Sequence, residues 1–199
     1  MRYPPEHKQQ TRDRIVRAAA RRFRSRGSQG AAIGDLMRDL RLTHGGFYRH
    51  FDSKDELLAE AVGHDQTFHH NEFFRKIVSA VERAPKGAKL KALIDTYLSI
   101  DHCDDIAEGC SVAALAAELA RHPPRSRARL AFESGIRDRT RRIGHLIPGA
   151  SAEERERKAH MLMSGMAGTL TMARVITDEQ HRRQFLEDAR QFYLEAFRR

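Results

Sequence analysis

The chain of 199 residues is short of the features that mark secreted, membrane-spanning or catalytic proteins. Two cysteines, Cys103 and Cys110, are too few for a disulfide scaffold. No apolar run approaches the ~18 residues that cross a bilayer, so no membrane partner is expected. The N-terminal stretch MRYPPEHKQQTRDR has no apolar core of the kind a signal peptide carries, and the chain is read as cytoplasmic. No stretch alternates with period two, and internal repeats and low-complexity tracts are missing. No nucleophile, base and orienting group stand together, and no glycine-rich loop is suited to cradle phosphate. The chain is therefore not expected to be an enzyme, and no cofactor or metal is assigned. The nearest approach to a metal motif is HDQTFHHNE, residues 64–72, with three histidines beside Asp65 and Glu72. No two of those histidines stand at i, i+4, although Asp65 and His69 do, and a solvated helix face is the better account.

What is present is charge, and it is unevenly placed. The composition is 40% hydrophobic and 32% charged, which suits a folded domain. Residues 1–54 hold 13 Lys and Arg against 5 Asp and Glu, whereas the remainder holds 23 against 22. Nearly all of the net +9 thus sits in the first quarter of the chain. Such asymmetry suits a segment that meets a polyanion, with a solvated basic face as the alternative.

Apolar spacing is helical almost everywhere, and the fold is predicted to be all-α. Ile15, Ala19 and Phe23 form one stripe that stops at Gly27. Ile33, Leu36, Met37 and Leu40 form a second. Ser53 and Glu56 make a capping box that opens a helix near Lys54, expected to run past Val62 and as far as Val81. Further stripes fall at Leu90–Leu98 and Val112–Leu119, and an Arg-rich segment carries Phe132, Ile136, Ile143 and Ile147. Ser151 and Glu154 make a second capping box, and the last helix presents Phe185, Phe192 and Tyr193. Three short helices in residues 1–52 form a basic unit, and residues 53–199 form a larger, balanced one that shares its first helix as connector.

Residues 33–51 read as helix, tight turn, helix. A helix-turn-helix sends its second helix into the DNA major groove, with its N-terminal residues at the base edges. Thr43 is a suitable N-cap for that helix. Gly45 and Gly46 then occupy its first turn, although each costs roughly 1 kcal/mol relative to Ala inside a helix. Close approach of the helix end to DNA accounts for that cost. Phe47 and Phe51 are expected to point inward.

The stretch LTHGGFYRHFDSKDELLAEAV resembles the recognition-helix signature of the TetR family of bacterial transcriptional regulators. The match is specific over residues 11–62, and beyond them it is one of helix number, length and order. The resemblance implies an N-terminal three-helix DNA-binding domain, a connecting fourth helix, and a larger all-α domain that binds an effector and dimerises through its last two helices. It assigns Thr43, His44, Gly45 and Gly46 to the base edges and groove floor. It assigns Tyr48, His50 and Lys54 to phosphates, with a core aromatic as the other reading of Tyr48. Two departures stand out: Arg41 occupies a turn position where Gly is common, and Ala31-Ala32 replace the usual Thr or Ser.

Two further groups bear on regulation. Cys103 and Cys110 flank DDIAEG, a helix break expected to face an effector cavity, with Ser111 as an N-cap. The Met-rich stripe Met161, Met163, Met166 and Met172, with Ser164, Gly165 and Gly168 allowing close approach, is a candidate dimer seam together with Leu170 and, on the last helix, Phe192. A ligand pocket is the other reading of the methionines. The expected protein is a homodimeric repressor on a palindromic double-stranded DNA operator, released by an unidentified small-molecule effector. The alternatives are a thiol-based sensor of electrophiles or oxidants with the same architecture, or a sequence-independent architectural DNA-binding protein.

Overall fold

The computed structural model of the protein describes residues 5–66 and 71–198, and these are helical with no strand among them. The order is α1 (Pro5–Gly30), α2 (Ile33–Asp39), a 3₁₀ recognition helix (His44–Arg49), α3 (Lys54–Gln66), α4 (Glu72–Arg83) and α5 (Lys89–Tyr97). There follow α6 (Ile100–Asp104), α7 (Ser111–Leu119), α8 (Arg127–Gly144), α9 (Ala152–Ala173) and α10 (Glu179–Phe197). No described helix is long and apolar enough to cross a membrane.

Helix starts follow side-chain chemistry. Ser53 accepts from the Glu56 amide at 3.1 Å, and the Glu56 carboxylate accepts from the Asp52 amide at 2.6 Å. Ser151 and Glu154 repeat the arrangement, with Glu154 accepting from Ala150 at 2.8 Å. Each glutamate reaches one residue further back than an ideal capping box requires, and it still satisfies an orphan donor. One helix start departs from expectation. The single helix predicted from Ser53 to Val81 is two, because buried Asn71 opens α4 by accepting from the Phe74 amide at 3.2 Å. Asn71 also donates to the Gly109 carbonyl at 3.5 Å, so a distant loop helps to set that start. Residues 67–70, with two of the three histidines of the 64–72 stretch, lie outside the described residues.

Two apolar cores result. The first buries Ile15, Ala19 and Phe23 of α1, Leu36 and Met37 of α2, Phe47, Phe51, and Leu57 and Ala61 of α3. It extends past residue 52 and takes in Leu115 and Leu119 of α7 and Ala128 and Phe132 of α8. The second gathers α4, α5, α9, the buried face of α10 at Leu186, and Ile143 of α8. Helix α8, roughly 27 Å long for its 18 residues, therefore has one end in each core.

The end of α1 is held by the larger unit. Gly27 breaks the helix at φ 70°, where a Cβ would stand 3.0 Å from Glu118 Oε2. Ser28 donates its amide to the two Glu118 oxygens at 3.1 and 3.0 Å and its hydroxyl to the same carboxylate. Arg24 donates to the Ala107 carbonyl at 2.5 Å, and Arg21 pairs with Glu108 at 2.7 Å. Glu118→Ala leaves the Ser28 donors without this acceptor and should lower stability by about 1–3 kcal/mol, read as the urea midpoint at unchanged slope. An unchanged midpoint would show that the clasp contributes nothing.

Candidate nucleic-acid interface

The recognition helix begins where Thr43 accepts from the Gly46 amide at 3.2 Å. It winds as a six-residue 3₁₀ helix, closed by the His50 amide donating to the Phe47 carbonyl at 2.9 Å. Phe47 and Phe51 are buried and stack at 5.4 Å, which anchors the helix on the first core. Burying each ring contributes about 1.5–3 kcal/mol.

The two glycines have different reasons to lack a side chain. A Cβ on Gly46 would lie 3.2 Å from Thr43 Oγ1 and 3.7 Å from Met37 Cε, so the cap and the core account for that glycine. A Cβ on Gly45 would meet nothing within 4 Å. Neither has positive φ. No described residue would meet a side chain at Gly45, which leaves that position open to an external partner.

Around the glycines stand exposed polar groups. His44 is exposed, and Tyr48, 61% exposed, stands edge-on to Phe47 at 5.2 Å, with its hydroxyl outward rather than in the core. His50 is half-buried, and its Nδ1 has no hydrogen-bond partner among the described residues. Burial, then Lys8, Arg12 and Arg49, pushes its pKa below the ordinary range and favours the neutral ring. His50 is thus a hydrogen-bonding group rather than a standing positive charge.

The cations of residues 1–54 divide into two sets. Arg12 binds Glu56 at 3.1 Å and also Glu60, and it lies over the Phe51 ring at 4.1 Å. Arg22 pairs with Asp39 at 2.5 Å, Arg38 with Asp35, and Arg21 and Arg24 with the 107–108 segment. By contrast Arg14, Arg17, Arg41 and Arg49 are exposed, Lys54 is half-exposed at the start of α3, and none has an ion pair among the described residues. The paired set ties helices together, and the unpaired set supplies the outward field.

The regulatory candidates lie in the second core. Cys103 and Cys110 are free and buried. Cys110, rather than Ser111, is the N-cap of α7, and it has no side-chain cap bond. Its amide donates to His102 Nε2 at 3.0 Å, and His102 Nδ1 lies 2.6 Å from the Tyr97 carbonyl. Burial, against the Tyr97 hydrogen bond, brings His102 down to about 3, so the ring is neutral with its proton on Nδ1. Arg139, only 1% exposed, donates to Cys110 Sγ at 3.6 Å and to Ser111 Oγ at 3.3 Å, over the Phe74 ring. Burial pushes the Cys103 thiol up. Sequence reasoning missed Arg139, which looks like any other cation of its Arg-rich segment. A cavity of about 330 Å³ between α4, α5 and the end of α8 is floored by Ile77, Val81, Leu93 and Ile143, and neither thiol lines it. A second of about 260 Å³ lies beside His102 and Glu108, again without a thiol in its lining.

The dimer candidates separate in the structure. Met163, Met166 and Leu170 are buried in the subunit's own core. Gly165 also serves the subunit, since a Cβ there would lie 2.7 Å from the Tyr193 hydroxyl of α10. The outward stripe of α9 is Met161, Ser164, Gly168 and Met172, and exposed Val175 follows just past its end. Phe192, 64% exposed on α10, and Met161 and Met172, each 61% exposed on α9, are the large apolar seam candidates that lie on the surface.

Comparison with known proteins agrees with this geometry. Residues 15–61 match bacterial regulatory proteins of the tetR family, and residues 87–189 match the tetracyclin repressor-like C-terminal domain. An HTH-type transcriptional regulator of Mycobacterium tuberculosis is 30% identical over 177 residues, covering 84% of this chain and 86% of its own. The A-factor receptor protein of Streptomyces griseus is 37% identical over 86 residues, covering 43% of this chain and 27% of its own. Among solved structures, E. coli NemR in its reduced form superposes with a TM-score of 0.74 at 17% identity, over 94% of this chain and 96% of NemR. A TetR regulator of Chloroflexus aurantiacus gives 0.74 at 24% identity, over 96% and 95% of the two chains. These two structures speak to the fold alone. The chain belongs to the TetR family of bacterial regulatory proteins and carries that family's DNA-binding helix-turn-helix.

Proposed function

We propose that the protein is a homodimeric repressor that binds a palindromic operator and is released by a small-molecule effector. In this reading residues 1–52 bind DNA, and residues 53–199 bind the effector and dimerise. The observation that carries it is the recognition helix, where open Gly45 sits between the Thr43 cap and outward Tyr48, amid unpaired cations. Thr43, His44 and Gly45 meet the groove, and Tyr48, His50 and Lys54 hold phosphates. Gly46 supports them from within. The matched A-factor receptor is by name a receptor, which supports a ligand-responsive larger unit. Recovery of bound duplexes from random fragments, with two half-sites at fixed spacing, tests the reading directly. Competition by bulk genomic DNA at fixed salt separates a site-specific regulator from an architectural binder.

One observation favours a second reading. The buried Arg139 guanidinium donates to the Cys110 sulfur at 3.6 Å, which sets one of the two thiols beside a cation. Release of DNA by mild oxidant, prevented by Cys110→Ser, would establish it in place of reversible ligand binding.

Two variants separate interface from scaffold. Gly45→Leu should abolish binding to selected operators while the circular dichroism and melting temperature stay near wild type. Gly46→Leu should also lower the melting temperature, because its side chain meets Thr43 and Met37. Operator binding by Gly45→Leu at wild-type affinity sinks the close-approach account.

For assembly, Met172→Glu with Phe192→Glu should give a folded monomer with weak operator binding. Met166→Glu should instead unfold the chain, since it buries an unpaired charge. Sedimentation and thermal melts read both, and a Met172→Glu, Phe192→Glu protein that remains dimeric rules out that face.

A further inference from the structure

Helix α2 ends in a paired hydrogen-bond pattern: the Leu42 amide donates to the Met37 carbonyl at 2.8 Å, and the Arg41 amide to the Arg38 carbonyl at 2.9 Å. This is a Schellman ending, and its left-handed residue is most often glycine because a Cβ is crowded there. Here the residue is Arg41 at φ 58°, the only non-glycine with positive φ among the described residues. The turn thus retains a side chain that its own backbone disfavours.

That side chain has nothing to do inside the protein. It is exposed and makes no hydrogen bond or ion pair among the described residues. The carboxylates nearest in sequence are engaged elsewhere, Asp39 with Arg22 at 2.5 Å and Asp35 with Arg38. A second exposed cation meets the same turn from α1, where Arg14 reaches the Leu40 carbonyl at 3.5 Å. Two guanidinium groups therefore flank one turn, and Asp35 and Asp39, the carboxylates nearest Arg41 in sequence, are already paired. Thr43 lies two residues on, so its Cα is within about 7 Å of that of Arg41.

We propose that Arg41, with Arg14 beside it, is a phosphate-contacting pair at the helix-turn-helix turn, positioning the recognition helix without reading sequence. The inference rests on the DNA-binding reading and adds a contact beyond those assigned to the recognition helix. Guanidinium groups suit phosphate oxygens by charge and by their forked donors. A glycine at 41 would relax the backbone and forfeit the contact.

The test uses the full chain and a mixed-sequence duplex, because phosphate contacts are independent of base sequence. Each contact contributes about 0.9 to the slope of log affinity against log salt. Arg41→Gly and Arg41→Gln should each reduce the slope by about 0.9, and Arg41→Lys should retain it. With lines that meet at 1 M salt, the loss is about 15-fold in affinity at 50 mM. Arg14→Gln should add a similar decrement to either variant. Arg41→Gly should melt at or above the wild-type temperature, which separates lost contact from lost fold. A wild-type slope for Arg41→Gly overturns the inference while leaving DNA binding intact. A wild-type protein that shows no salt-dependent binding to duplex overturns both.

Discussion

The arrangement depends on α8 being a member of two cores at once. Ala128 and Phe132 pack with the recognition unit, and Ile143 packs with α4, α5 and α9. A helix is stiff over its length, and close-packed interiors shift between discrete arrangements rather than deforming smoothly. Helix α3 rests along α8, and the 330 Å³ cavity abuts the other end of α8 at Ile143. The connecting helix α3 is not the only link between the two parts.

The second link is electrostatic. The last turns of α1 are held by Ala107, Glu108 and Glu118, all from the larger unit. Burial raises the Glu108 carboxyl, and Arg21 and Arg24 oppose that shift. Basic residues that look in sequence like one polyanion-binding patch thus serve two ends. Five of them, Arg12, Arg21, Arg22, Arg24 and Arg38, are occupied within the protein and orient its helices. The net positive charge of the first quarter thus overstates the number of cations left unpaired at its surface.

Much of this was legible in the sequence, and the gaps have physical causes. The all-α class, the helix-turn-helix and the caps at Thr43, Ser53 and Ser151 follow from local spacing, because a cap is a contact three residues long. The start of α4 was not legible, since Asn71 caps a helix while held by Gly109, 38 residues away. Gly45 and Gly46 look alike as letters, and only the position of Thr43 and Met37 tells them apart. Helix α9 is apolar around much of its circumference, so its period shows that it is buried but not which stripe faces its own core. Met163, Met166 and Leu170 fell on the inner side for that reason, whereas Met161, Gly168 and Met172 of the same expected stripe fell on the outer side.

The same reasoning explains why buried polar groups gather between Cys103 and Cys110. The loop there must hold α1 from outside while its inner side meets the second core. Its backbone groups have few helical partners, so side chains supply them: His102 accepts the Cys110 amide, and Arg174 donates to the His102 and Cys103 carbonyls at 3.1 Å each. Gly109 is packed so closely that a Cβ would stand 2.8 Å from the Asp105 carbonyl. A neutral His102 fits this task, since an imidazolium would have no lone pair for the Cys110 amide. The outer side of the same loop accepts from Arg24 through the Ala107 carbonyl, so the segment touches both α1 and the second core. The two cysteines mark the ends of that segment, and the loop's construction accounts for their burial.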